Sequence, residues 1–209
     1  MMKLAVFASG SGSNFQAIAD AVVENRLDAE VSLLVCDKPD AYVVKRAEAL
    51  DIPIFCFRPK AYDNKAAFEK EITARLHEAE VDWIVLAGYM RLIGETLLAA
   101  FPEHIINIHP SLLPAFPGLD AIGQAWEAGV KVTGVTVHYV DEGMDSGKII
   151  AQEAVAVKPT DSLASLTKAV QAVEHRLYPD TIQSLLKERL SQGGPTYNEH
   201  QTSINQRIE

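Results

Sequence analysis

A chain of 209 residues, 48% hydrophobic and 22% charged, has the balance of a globular protein with one substantial core. A net charge of −9 without any Lys/Arg block argues against nucleic acid as a partner, although a helix N-terminus can still hold a small anion. No apolar run reaches membrane-spanning length, MMKLAVFASGSGS is too short and too rich in Gly and Ser for a secretory leader, and Cys36 and Cys56 belong to no CxxC or Cys/His cluster, so the expectation is a cytoplasmic protein with reduced thiols and no membrane partner.

Residues 3–8 (KLAVFA) read as a buried strand, followed by SGSGSN and a helix from 15 to about 25. Residues 31–36 (VSLLVC) form a second apolar strand, 40–50 a helix, and 54–57 a short strand after Pro53. Asp63 or Asn64 can cap a long helix whose Phe68, Ile72 and Leu76 share one face. Residues 83–87 (WIVLA) are another apolar strand, 95–100 a short helix that ends before Pro102, and 105–108 (IINI) the next strand. The stretch HPSLLPAFPG leads into a helix at 119–128. Residues 132–140 and 149–157 are two longer strands joined by DEGMDSGK, and the alternation of Val135, Val137 and Tyr139 suits a more exposed sheet face. A long helix starts near Asp161 or Ser162 with Leu163, Leu166, Val170, Val173 and Leu177 as its apolar stripe, and Pro179 is expected to kink it. Residues 191–209 are a polar C-terminal tail, expected to be only partly ordered. Buried strands alternating with helices predict an α/β fold with a mainly parallel sheet.

In such sheets ligands bind beyond the carboxyl ends of the strands, so the loops there are where chemistry is expected. The first is Ser9-Gly10-Ser11-Gly12-Ser13-Asn14. Its glycines let the backbone approach an oxyanion, and the helix behind offers free N–H groups. No Gly-Lys-Ser/Thr follows, and Phe15 stands where GxGxxG needs its third glycine, so neither phosphate fingerprint is complete. Asp37 sits where a ribose-binding acid would, which keeps a nucleotide-dependent oxidoreductase open as a second reading; a phosphate-binding module without turnover is a third. Asn107 and His109 alternate on a strand and therefore share a face at its carboxyl end. A histidine there can shuttle a proton, and an amide beside it can steady a developing oxyanion. The loop Asp141-Glu142-Gly143-Met144-Asp145-Ser146-Gly147 is either a solvated turn or the source of a carboxylate that orients the histidine. Its acids lack the DxDxDG spacing with a later glutamate, so no metal is expected. Met90-Arg91-Leu92-Ile93 follows the WIVLA strand, and Arg91 can fork onto a carboxylate.

NIHPSLLPAFPG, LAGYMRL and VHYVDEGMDSG are specific in combination. On them the chain closely resembles the phosphoribosylglycinamide formyltransferase family, from KLAVFASGSGSN to EHRLYP at 174–179. The resemblance implies a Rossmann-like three-layer fold with helices on both faces of the sheet. It implies 10-formyltetrahydrofolate as formyl donor, glycinamide ribonucleotide as acceptor and a place in de novo purine biosynthesis. Gly12, Ser13 and Asn14 would hold the acceptor phosphate and Glu174 its sugar. Lys65, Met90, Arg91, Leu92 and Ile93 would line the folate pocket with Asn107, Val140, Asp141 and Met144. Asn107 and His109 would act on the formyl group, with Asp145 keeping His109 charged. The implied partners are small molecules, and a homodimer stays open. Two positions depart from the family pattern: Lys65 stands where some members carry Arg, and Asp120-Ala121-Ile122 replaces a His-containing stretch. Both bear on substrate affinity rather than chemistry. Methionyl-tRNA formyltransferase is similar over NIHPSLLP but adds a C-terminal domain, and formyltetrahydrofolate hydrolase adds an N-terminal one. Residues 1–190 are expected to be a single formyltransferase domain with room for neither.

Overall fold

A computed structural model describes residues 1–191, so of the expected tail only Ser191 falls within the described residues. In chain order the elements are β1 (Met2–Ala8), α1 (Ser13–Val23), β2 (Ala29–Cys36), α2 (Tyr42–Glu48), β3 (Ile54–Cys56), α3 (Lys65–Glu78), β4 (Trp83–Leu86), α4 (Glu95–Ala100), β5 (Ile105–His109), α5 (Ala121–Glu127), β6 (Val132–Tyr139), β7 (Ile149–Ala156) and α6 (Leu163–Ser191). The strands form one sheet in the order β3-β2-β1-β4-β5-β6-β7. From β3 to β5 all pairs are parallel; β6 and β7 run antiparallel to their neighbours.

The apolar runs are continuous because both sheet faces are covered. Along β1, Leu4, Val6 and Ala8 enter one core with Phe15 and Ile18 of α1 and Leu166, Val170 and Tyr178 of α6. Ala5 and Phe7, pointing the other way, enter a second core with Phe68, Ile72 and Leu76 of α3. The period of two along a strand thus divides one apolar run between two cores and makes three layers.

Helix starts follow local chemistry. Asn64 caps α3 by accepting the Ala67 N–H at 2.9 Å, which decides between the two expected caps. Ahead of α6, Ser162 Oγ accepts the Ser165 N–H (3.2 Å) while Ser165 Oγ accepts the Ser162 N–H (2.9 Å), a reciprocal cap. α6 continues through Pro179 as a single helix of 29 residues.

One expectation fails. β6 is not a half-exposed strand: Val135 and Val137 are buried on one face and Thr136 and His138 on the other. It lies inside the sheet between β5 and β7, with α6 over one face and the proline-rich loop against Thr136. Its alternation therefore separates apolar from polar burial, not inside from outside.

The order reverses at β1, whose neighbours are β2 and β4. Loops leaving the carboxyl ends of adjacent strands diverge there and open a crevice.

Candidate active site

The crevice is a cavity of about 640 Å³. Its walls come from the loops after β1, β4 and β5, the turn between β6 and β7, and the inner face of α6.

The glycine loop lines one part of it. Gly12 caps α1 with φ 74°, the left-handed region that favours glycine. Its neighbours are held from outside: Gly10 O accepts the Val43 N–H (3.1 Å) and Ser11 O accepts Arg46 Nε–H (2.8 Å), both from α2. Beside the loop, Asn14 hydrogen-bonds Glu174 of α6 while its Oδ1 is buried without a partner. Burial pushes the Glu174 carboxyl up to about 7, against the smaller opposing effect of Asn14. The lining at Gly12 and Ser13 thus combines helix N–H groups with a buried carboxyl that can accept or donate a hydrogen bond near neutrality.

Met90, Arg91, Leu92 and Ile93 also line the cavity, with Val140, Asp141 and Met144. Met90 and Leu92 are more than half exposed, an apolar surface open to a flat ring. This loop is anchored through Asp37. Ser9 Oγ donates to Asp37 Oδ1 (2.5 Å) and accepts the Met90 N–H (2.9 Å), and Arg91 Nε donates to Asp37 Oδ2 (2.7 Å). Both carboxylate oxygens are therefore engaged within the chain. Asp37 is a brace between β1, β2 and the loop after β4, and the ribose-binding reading that kept an oxidoreductase open loses its residue.

Asn107, His109 and Asp145 line the same cavity. His109 Nε2 lies 2.8 Å from the Phe116 carbonyl, and its Nδ1 lies 3.4 Å from Asp145 Oδ2. The Phe116 carbonyl only accepts, so Nε2 carries a hydrogen towards it, and the Asp145 carboxylate stands beside Nδ1. Asp145 also accepts the Gly118 N–H (2.7 Å), which ties the β6–β7 turn to the proline-rich loop over His109. Asp145 has φ 55°, a conformation uncommon outside glycine and tolerated best by short polar residues.

The proline-rich loop is held in turn by β6 and β7. Thr136 Oγ1 donates to the Ser111 carbonyl (2.7 Å) and accepts the Leu113 N–H (3.0 Å), while Gln152 Nε2 donates to the Leu113 carbonyl (2.9 Å). Among the described residues no group of His, Cys, Asp or Glu gathers that could hold a metal ion, and no helix is long and apolar enough to cross a membrane.

Residues 2–182 match the family model for formyl transferase. The chain belongs to the formyl transferase family. It is 60% identical over 186 residues to phosphoribosylglycinamide formyltransferase of Bacillus subtilis (strain 168), a match that covers 89% of this chain and 95% of that protein. To the human trifunctional purine biosynthetic protein adenosine-3 it is 40% identical, over 87% of this chain and 18% of the much longer protein. Among solved structures, glycinamide ribonucleotide transformylase 1 from Geobacillus kaustophilus superposes with a TM-score of 0.87 at 59% identity, covering 89% of this chain and 99% of that one. Phosphoribosylglycinamide formyltransferase from Bacillus halodurans superposes with a TM-score of 0.86 at 57% identity, covering 88% and 95%.

With membership in the formyl transferase family established, the fold brings all but one of the site residues expected from sequence into one cavity. The exception is Lys65, which is not among the cavity's lining residues. It opens α3, and its Nζ lies 3.9 Å from Glu69 one turn on. Sequence reading missed the brace role of Asp37, the Phe116 carbonyl on His109, and His138. The last had a signal: His138 alternates with Thr136 on a strand whose other face carries Val135 and Val137.

Proposed function

We propose that this chain transfers the formyl group of 10-formyltetrahydrofolate to the amine of glycinamide ribonucleotide, releasing formylglycinamide ribonucleotide and tetrahydrofolate, as a cytoplasmic enzyme of de novo purine biosynthesis. The observation that carries the reading is one cavity lined by a glycine-capped helix start, by an open apolar surface at Met90 and Leu92, and by Asn107, His109 and Asp145. Two substrates bound end to end would meet at that triplet.

The acceptor phosphate sits on the Gly12–Asn14 N–H groups and its ribose on Glu174, while the pterin lies against Met90–Ile93, Val140, Asp141 and Met144. The amine attacks the formyl carbon. Asn107 and the His109 imidazolium donate to the oxygen, which takes the place of the Phe116 carbonyl on Nε2. When the intermediate collapses, the bond to the folate nitrogen breaks, and the proton lost by the amine reaches that nitrogen through His109 or a water it holds. Asp145 keeps His109 oriented. Residues 1–190 serve as one domain, as monomer or homodimer, which light scattering reads directly.

The test is the deformylation of 10-formyltetrahydrofolate with and without glycinamide ribonucleotide. Turnover is expected only with the acceptor. Equal turnover without it would make the chain a hydrolase of the formyl folate.

A further inference from the structure

His138 is almost completely buried, at 2% exposure, and has no part in the transfer just described. It lies directly opposite Asn107 in the antiparallel pairing of β5 with β6, so the two side chains share a sheet face. Its Nδ1 is 2.7 Å from the Tyr139 carbonyl, and its Nε2 is 3.1 Å from Asn107 Nδ2.

These two contacts allow one arrangement of protons. A peptide carbonyl only accepts, so Nδ1 carries the hydrogen. A carboxamide nitrogen only donates, so Nε2 offers its lone pair. Turning the Asn107 amide by half a rotation would set its oxygen against that lone pair, acceptor against acceptor. Neutral His138 therefore distinguishes the two ends of an amide that is otherwise nearly symmetric in shape. A protonated His138 would reverse the preference, because Nε2–H would then call for the amide oxygen. The charged and titratable neighbours are Asp145, with Oδ1 3.8 Å from Nε2, His109 and Asp141. Burial outweighs the Tyr139 carbonyl and Asp145, and with the like charge of His109 it holds His138 below the usual histidine range.

We infer that His138, fixed as its Nδ1–H tautomer by the Tyr139 carbonyl, is the positioning residue that sets the direction of the Asn107 carboxamide in the transfer site. The inference rests on the proposed formyl transfer for its catalytic meaning. One Asn107 N–H is engaged by His138, so the other N–H and the oxygen each point one way and need not be sorted when the formyl oxygen arrives. A misdirected donor of this kind costs on the order of 10²-fold in rate.

Two measurements on the full-length protein decide it. Long-range proton–nitrogen NMR of the histidine rings should show His138 with a protonated Nδ1 and a bare Nε2 at about pH 7.5, with the signal assigned by its loss in His138→Leu. An Nε2–H tautomer or an imidazolium there would overturn the inference. In steady-state kinetics, His138→Leu should lower kcat by roughly 10–100-fold and leave both KM values within about threefold, whereas in an Asn107→Ala background the same change should cost less than about threefold further. His138→Gln, which restores an acceptor near Nε2, should recover part of the lost kcat. Equal losses in both backgrounds would mean that His138 acts without Asn107. If the parent protein shows no acceptor-dependent turnover, the transfer reading fails, while the NMR measurement still decides the His138–Asn107 pair.

Discussion

Asp145 meets His109 at 3.4 Å and also holds the Gly118 N–H, so histidine and carboxylate form one unit with the loop above them. His109→Ala and Asp145→Ala are each expected to lower kcat by roughly 10²–10⁴-fold, the scale of a positioned acid–base group. The double variant should lose much less than the product of the two, because each change disables the same unit. Strict multiplicativity in steady-state kinetics would dissolve the partnership. Glu174 gives a different test. Its carboxyl is raised from an ordinary 4.5 to about 7 by burial. A raised carboxyl takes up protons on folding, so it weakens the fold as pH climbs from the unfolded value to about 7, with no further loss beyond. The loss is on the order of 3 kcal/mol. Glu174→Gln removes the titration and should raise the thermal midpoint relative to the parent near pH 8 more than near pH 5. The same change should raise KM for glycinamide ribonucleotide by roughly tenfold or more, the loss of a charged hydrogen-bond acceptor. A midpoint difference that is flat with pH would show that Glu174 is not buried as a titrating acid.

At the scale of elements, the glycine loop is built jointly by α1 and α2. A Cβ on Gly12 would come within 2.5 Å of Val43 Cγ2, and φ 74° disfavours any side chain at that position. From sequence alone the glycine answers to the ligand; the structure adds that it answers equally to α2. Gly12→Ala should therefore lower stability by about 1–2 kcal/mol in chemical denaturation and weaken the acceptor, with little change in the Kd of a folate analogue. Adding Val43→Ala should restore little of the stability, because it removes Cγ2 while Val43 Cβ at 2.7 Å and Cα at 3.0 Å still crowd the new methyl and the φ penalty stays. If the folded Gly12→Ala protein kept its acceptor KM and lost folate affinity, the two parts of the cavity would be assigned the wrong way round. The proline-rich loop shows the same division of labour: HPSLLPAFPG supplies stiffness, but Thr136 and Gln152, from β6 and β7, decide where it lies.

For the molecule as a whole, α6 is the clasp. Tyr178 is fully buried, and its hydroxyl donates to the Leu86 carbonyl at 2.9 Å with the Ile106 carbonyl at 3.2 Å, beneath the strand ends that carry the site. Tyr178→Phe should cost about 1–2 kcal/mol and lower the thermal midpoint by roughly 2–6 °C, because two buried carbonyls lose that donor. A single calorimetric transition is expected in both proteins, since α6 packs on both α1 and β6. Unchanged stability would mean that water replaces the hydroxyl.

Much of this was legible before any coordinates. The strands of β1, β2 and β4 announce themselves as largely apolar runs because a parallel sheet covered on both faces has no polar side, and the period of two alone puts Asn107 beside His109. Those are local facts, fixed by spacing along one segment. Which carboxylate meets which base is not local. Asp37 lies 54 residues from Arg91, and Asn107 lies 31 from His138. Only the order of strands in the sheet brings them within hydrogen-bond distance. Asp37 looked like a ligand-binding acid until the loop after β4 closed onto it, and β6 looked half exposed until α6 and the proline-rich loop covered it. Spacing along the chain specifies the elements and the residues that share a face. The tertiary structure decided who faces whom across elements, because a side chain's partner depends on the packing of segments far apart in the chain, and no period along one segment encodes that distance.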